Sequence, residues 1–219
     1  MAAEAHARAV IIVLAGINGA GKSSVTGAWL RAEGLDYFNP DEAARRIQAE
    51  LGCAVAEANS LAWQEGKQRL ESAIRDRQSF AFESTLGGNT IPRLIEEAAD
   101  AGMDVRVWFV GLSNPELHLA RVRTRVVAGG HDIPEAKIRE RWDAARRNII
   151  TLMPRLTELK VFDNSEEGNP EAGTIPPPVL LLHWRRGAIK FPSIRGLKKT
   201  PEWAKPIVAR ALQLQRLRS

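Results

Sequence analysis

Hydrophobic residues fall along this chain in two rhythms. Short apolar runs recur at residues 10–15, 35–38, 80–85, 105–110 and 161–164, each closing in or near glycine, proline or asparagine. Runs of that length bounded by turn formers predict buried strands. Between them the apolar spacing lengthens to the helical period, as with Trp63, Leu70 and Ile74 inside residues 54–77. Helices are predicted at 24–30, 43–51, 54–77, 90–99, 113–127 and 133–152. Gly34, Gly102 and Ala128-Gly129-Gly130 supply stops, and Pro92 sits near the start of one helix. Five strands alternating with helices predict an α/β fold with a parallel, doubly wound sheet.

After Ser165 the pattern changes. Glu166 to Gly173 is rich in turn formers, and Pro176-Pro177-Pro178 excludes a helix. Residues 179–184 and 188–191 read as a hairpin across Arg185-Arg186-Gly187. Thr200-Pro201-Glu202-Trp203 announces a last helix. The chain therefore divides into a core at 1–165 and an appendage at 166–219 packed on it. No internal repeat is present.

The first predicted strand runs into Gly16-Ile17-Asn18-Gly19-Ala20-Gly21-Lys22-Ser23, which matches G-x-x-x-x-G-K-[ST] at every fixed position. Strand, glycine loop and helix together give that match its meaning. Gly16, Gly19 and Gly21 let the backbone turn tightly and approach a phosphate, and successive N–H groups then form an anion nest at a helix N-terminus. Asn18, Ala20 and Ser24 belong to the same cradle. Lys22 reaches the β/γ-phosphates and the Ser23 hydroxyl can ligate Mg²⁺. The expected fold is thus a P-loop NTPase-type three-layer sandwich with a five-stranded, mainly parallel sheet.

Two acids stand out. Asp41 follows the predicted second strand, in Asn39-Pro40-Asp41-Glu42, at the sheet edge where open α/β sheets place ligands. It reads equally well as a first-turn helix acid. Glu83 lies inside an apolar strand, on the same face as Thr85. A buried carboxylate needs a partner, either a cation or hydroxyl-bearing ligand at a site, or a structural ion pair with an arginine. No acid ends the fourth strand, so Glu83 is the candidate for a water-mediated Mg²⁺ contact.

Arginine is dense between the last two predicted strands of the core: Arg121, Arg123, Arg125, Arg139, Arg141, Arg146 and Arg147, with Lys137. Arg121 and Arg125 share a helix face. Two helices joined through Gly129-Gly130-His131-Asp132, at about 115–150, resemble a phosphoryl-transfer lid that carries guanidiniums onto the phosphates and excludes water. Solvated helix charge is the alternative for any one of them.

Charge and composition narrow the class. The net charge of +5 hides an asymmetry: from His183 on there are ten Lys or Arg and one acid, Glu202, so the tail carries +9 and the rest −4. A basic tail suits nucleic acid or an anionic membrane, yet no nucleic-acid motif accompanies it, and a solvated cationic surface is the expectation. One cysteine, Cys53, excludes an internal disulfide and a cysteine metal cluster and suits a reducing cytosol. Met1 to Arg8 lacks a basic region followed by a long apolar run, so no secretory leader and no membrane span are expected.

The glycine loop, Asn39-Pro40-Asp41, Phe82-Glu83-Ser84-Thr85-Leu86 and Arg121-Val122-x-x-Arg125-Val126-x-x-Gly129-Gly130-His131-x-x-Pro134 together resemble the zeta-toxin-like P-loop kinases, more narrowly their chromosomal predicted-ATPase branch. The resemblance covers residues 9–165. It implies an ATP- or GTP-dependent kinase with Mg²⁺, acting on a small hydroxyl acceptor such as the nucleotide sugar UDP-N-acetylglucosamine, in the cytoplasm. It implies Asp41 as general base and Glu83, Thr85 and Asn39 as acceptor contacts. Arg125 and Arg139 are the first lid arginines, with Arg141 and Arg121 further candidates. An antitoxin-like partner belongs to the resemblance too, but no contact for one is legible in the chain. The tail beyond residue 175 departs from the toxin core. Competing readings are an NTPase switch whose basic tail binds nucleic acid, and a noncatalytic nucleotide-binding module.

Overall fold

The computed structural model describes residues 8–23, 27, 30, 36–127, 129–130, 132–166 and 176–217. Among the described residues its sheet has six strands in the order β2-β1-β3-β4-β5-β6. β1 (Val10–Ala15), β2 (Phe80–Ser84), β3 (Asp104–Gly111) and β4 (Glu158–Asp163) run parallel. β5 (Val179–Arg185) and β6 (Ala188–Phe191) continue the sheet antiparallel. Helices with bounds among the described residues are α1 (Pro40–Leu51), α2 (Val55–Asp76), α3 (Thr90–Asp100), α4 (Pro115–Val127), α5 (Glu135–Leu152) and α6 (Lys205–Arg216).

The strand count differs from the five expected in two places. Of the run at 35–38, Leu35 lies outside the described residues and the rest contributes a single bridge: Phe38 donates its N–H to the Ala81 carbonyl at 2.8 Å and accepts from Glu83 N–H at 2.9 Å. Asn39 and Pro40 follow at once. Asn39 caps α1, and Pro40 lacks the N–H a ladder needs, so the chain turns into the helix after one residue. In compensation, the hairpin expected beside the core joins its sheet, with β5 in register on β4 through Leu159–Trp184 and Val161–Leu182. β5 and β6 of the appendage therefore extend the sheet.

Alternation along the strands builds two layers. Val105, Val107 and Phe109 of β3 and Leu159 and Val161 of β4 enter a large core shared with α3, α5 and α6. On the other face Val110 and Phe162 meet Ala20 of the glycine loop, with Trp108 and Leu180 alongside. The chain leaves β1 for β2 on one side and β3 on the other, so the loop after β1 sits where the strand order reverses. That crevice is where such sheets bind ligands. The helix predicted after the glycine loop, Ser24, the Gly34 stop, His131 and most of the 166–173 linker fall outside the described residues; Gly27 and Leu30 of that helix are buried. Among the described residues, no helix is long and apolar enough to cross a membrane.

Candidate active site

The glycine loop closes on its neighbours so tightly that side chains are excluded. Gly16 has φ +144°, and a Cβ there would come within 2.3 Å of the Val110 carbonyl oxygen. Gly19 has φ +81°, and its Cβ would approach the His118 carbonyl oxygen at 2.8 Å. Glycine is the residue both conformation and space require.

Lys22, at the loop's end, is 7 % exposed. Its ammonium lies 3.3 Å from Glu83 Oε1 and 3.4 Å from the Ile17 carbonyl. Glu83, 8 % exposed, also accepts a hydrogen bond from the Ser23 hydroxyl at 2.8 Å through Oε2. A lysine, a hydroxyl and a carboxylate thus meet across 60 residues of sequence, on a cavity of about 270 Å³. Its wall includes Asn18, Gly19, Gly21, Asp41, Thr85, Arg121 and Arg125. Among the described residues no three His, Cys, Asp or Glu side chains form a metal cage. One carboxylate and one hydroxyl beside a phosphate cradle is the kind of oxygen set Mg²⁺ uses, since that ion keeps several waters and shares phosphate oxygens.

Asp41 enters the cavity from the first turn of α1. Asn39 positions it by accepting the N–H groups of Asp41 and Glu42 at 2.9 and 3.3 Å, and the fixed φ of Pro40 starts the helix. The Asp41 carboxylate is 45 % exposed and lies 3.4 Å from the Arg125 guanidinium. Asn39 itself is buried beneath the cap and does not line this cavity. Thr85 Oγ1 accepts the Gly87 N–H at 3.3 Å and borders both the central cavity and a second one of about 230 Å³. That second cavity shares Pro40, Glu83 and Ser84 with the first and extends past Phe38, Trp63, Lys67 and Asn89 to Arg141.

The arginines separate. Arg121 and Arg125 face the central cavity from α4. Arg141 reaches back from α5 to donate to Asn18 Oδ1 at 2.9 Å, and its stem covers Gly87. Arg139 lies elsewhere. It bridges Glu116 and Glu135 at 2.8 and 2.7 Å on the exposed side of α4 and α5 and lines neither cavity. Its hydrogen bond holds the Glu116 carboxyl below the usual carboxylate range. Position 139 lies two residues before 141, and the helical period turns it away.

Three residues that the sequence pattern did not single out complete the surroundings. Asn164, just after β4, donates to the Ala20 carbonyl at 2.9 Å. Asn148 of α5 donates to the carbonyls of Leu86 and Gly88 at 2.6 and 2.9 Å, holding the turn after β2, where Leu86 has φ +51°. His118 of α4, 1 % exposed, bonds the Asn18 carbonyl through Nδ1 at 2.9 Å. Burial pushes its imidazole down from 6.5 to about 4, against the pull of the Asn18 carbonyl and with the help of the Lys22 and Arg121 charges. Asn164 carried one legible signal, its place as the last residue of the predicted strand 161–164; Asn148 and His118 carried none.

A family model described as Zeta toxin matches residues 2–169. An uncharacterized protein of Haemophilus influenzae is 37% identical over 70 residues, 32% of this chain and 50% of that protein, so the chain matches half of that curated relative's length. Among solved structures, the AvrRxo1-ORF1:-ORF2 complex with ATP superposes with a TM-score of 0.64 at 19% identity, over 90% of this chain and 65% of that one. The PezAT chromosomal toxin–antitoxin system of Streptococcus pneumoniae gives 0.54 at 13% identity, over 96% and 85%. At those identities the likeness establishes the fold.

Proposed function

The chain belongs to the zeta toxin family, and we propose that it is a kinase that moves the γ-phosphate of ATP or GTP to a hydroxyl of a small acceptor of the nucleotide-sugar class, in the cytoplasm. The observation that carries this reading is the Asp41 carboxylate on the same cavity as Lys22, with a second cavity opening beside it. A nucleotide hydrolase needs space for a water; a kinase needs space for an acceptor. Phe38 and Trp63 offer aromatic surface for a base, and Lys67 and Arg141 offer charge for a diphosphate. The ATP in the AvrRxo1 complex supports a nucleotide at the glycine loop. The toxin–antitoxin assembly of PezAT supports the search for an antitoxin-like partner.

In this reading Lys22 and the loop N–H groups hold the β/γ-phosphates. Ser23 and Glu83 would hold Mg²⁺, which would screen phosphate charge. Asp41 takes the proton of the acceptor hydroxyl as its oxygen bonds to the γ-phosphorus, and the bond to the β–γ bridging oxygen breaks. Arg125 and Arg121 face the charge that develops on the transferring group. Arg125 rests on Asp41 here, so the same guanidinium can orient the base and then meet the phosphate.

Labelled ATP and GTP screened over nucleotide sugars and other small hydroxyl acceptors tests the reaction. Asp41→Asn tests the base. Nucleotide Kd by calorimetry should change by less than about tenfold, roughly 1.4 kcal/mol, while transfer should fall by roughly 10²–10⁴. Normal transfer would leave Asp41 a helix-turn acid. Collapse of nucleotide binding as well would move Asp41 into the metal shell and the base to Glu83.

A further inference from the structure

Two polar atoms are buried together under the glycine loop. Nε2 of His118 and the indole N–H of Trp203 have no hydrogen-bond partner among the described residues. Both side chains wall one small cavity of about 10 Å³, with Ile17, Gly111 and Arg146 around it. That is the space of a single water. Trp203 stands in the turn before α6, inside the appendage, with its ring over Gly111 so closely that a Cβ there would sit 2.3 Å away.

The donor pattern is determined by chemistry. The Asn18 carbonyl can only accept, so Nδ1 of His118 carries the proton and Nε2 of the neutral ring is a bare acceptor. The indole nitrogen can only donate. A water between them donates a hydrogen bond to Nε2 and accepts one from the Trp203 indole N–H, which satisfies both groups.

The other end of the chain of bonds reaches the phosphate cradle. The Asn18 carbonyl and the Gly19 N–H belong to one peptide group, and in a planar trans peptide they point in opposite directions. A carbonyl held toward His118 turns the Gly19 N–H the other way, and Gly19 lines the central cavity. Arg141 of α5 also donates to Asn18 Oδ1 at 2.9 Å. The Asn18 carbonyl and the Asn18 side chain thus each have a partner, one from α4 and one from α5.

We propose that His118 is a positioning residue that aims the Gly19 N–H at the nucleotide phosphates, and that one buried water between His118 and Trp203 ties this loop to the C-terminal appendage. The nucleotide part rests on the kinase reading; the hydrogen-bond chain does not. It gives the appendage a task that composition alone left open.

Imidazole and indole ¹⁵N shifts of the full chain read the bonds directly. The expected tautomer of His118 is Nδ1–H with Nε2 bare, and Trp203→Phe, which keeps the ring and loses the N–H, should shift the Nε2 resonance. A tautomer with Nε2–H, or an Nε2 shift indifferent to Trp203→Phe, overturns the proposal. For the loop, His118→Phe should raise the nucleotide KM about tenfold or more with a smaller change in kcat, and His118→Asn, whose amide can still donate to Asn18, should restore most of it. A His118→Phe protein with unchanged nucleotide KM, or no rescue by asparagine, also overturns it. If the unmodified protein binds no nucleotide, the kinase reading fails while the ¹⁵N shifts still decide the bond chain, and they need no variant to fold for the tautomer itself.

Discussion

The two carboxylates on the central cavity live in opposite surroundings. Glu83 is nearly buried in a paired strand, with Lys22 and Ser23 on its two oxygens. Asp41 stands half-exposed on the first turn of a helix, with one longer contact to Arg125. The phosphate end of the site is thus assembled before any ligand arrives, and its charges are structural as well as chemical. In the proposed kinase the Asp41 side is the acceptor end, and it carries fewer contacts than the phosphate end. Perturbing the first region should cost both fold and rate; perturbing the second should cost rate alone.

Lys22→Ala is expected to have the largest effect. Turnover should fall on the order of 10³-fold or more, since a charge at the phosphates is lost. Stability should fall by about 3 kcal/mol because the Glu83 carboxylate loses its cation. Adding Glu83→Gln to that variant should return most of the stability and none of the turnover, read by denaturant unfolding beside phosphate transfer. Unchanged turnover in Lys22→Ala would remove the phosphate reading of the loop.

Arg125→Ala should lower kcat on the order of 10³-fold, as loss of an arginine at the transferring phosphate does, while its melting temperature barely moves because a half-exposed pair contributes little. A large drop in melting temperature with near-normal kcat would erase the contrast and make Arg125 a structural partner of Asp41.

His118 places a third titratable group under the phosphate end. Its folded pKa, near 4, lies below the unfolded 6.5. The unfolded chain therefore binds the extra proton first as pH falls. The contribution to stability is full above about 6.5 and is lost on the way down to about 4, on the order of 3 kcal/mol in all. Unfolding free energies measured between pH 7 and 4.5 should fall less steeply in His118→Asn than in the unmodified protein. Identical slopes would mean that bulk solvent reaches the imidazole in the folded chain.

The smallest effect is expected from Arg139→Ala. Its partners Glu116 and Glu135 are exposed and the guanidinium lines no cavity, so kcat and melting temperature should both stay near those of the unmodified protein. A large loss of kcat would show that α4 and α5 swing Arg139 onto the phosphates during turnover.

Local pattern settled a good deal of this molecule. The glycine spacing, the apolar run before it and Lys22-Ser23 after it are contiguous, so their chemistry is carried by neighbours in sequence. The same holds for Asn39-Pro40-Asp41, where cap, fixed φ and acid follow one another and the helix start is written in three residues. Four parallel strands and six described helices were legible for the same reason, since period and stop signals act within one element.

What the sequence left open depended on pairs far apart in the chain. Phe38 makes a single bridge to β2 because Pro40, two residues on, already starts α1. The hairpin became sheet because β4 had a free edge whose pattern Leu182 and Trp184 match. Arg139 and Arg141 look alike as letters, yet one meets surface acids and the other meets Asn18, 123 residues away. His118 gave no signal at all, because a histidine in a helix acquires its tautomer and its lowered pKa only when folding buries it against the Asn18 carbonyl. Local chemistry is written in neighbouring residues; burial and partnership are properties of the packed chain, and only the tertiary structure decides them.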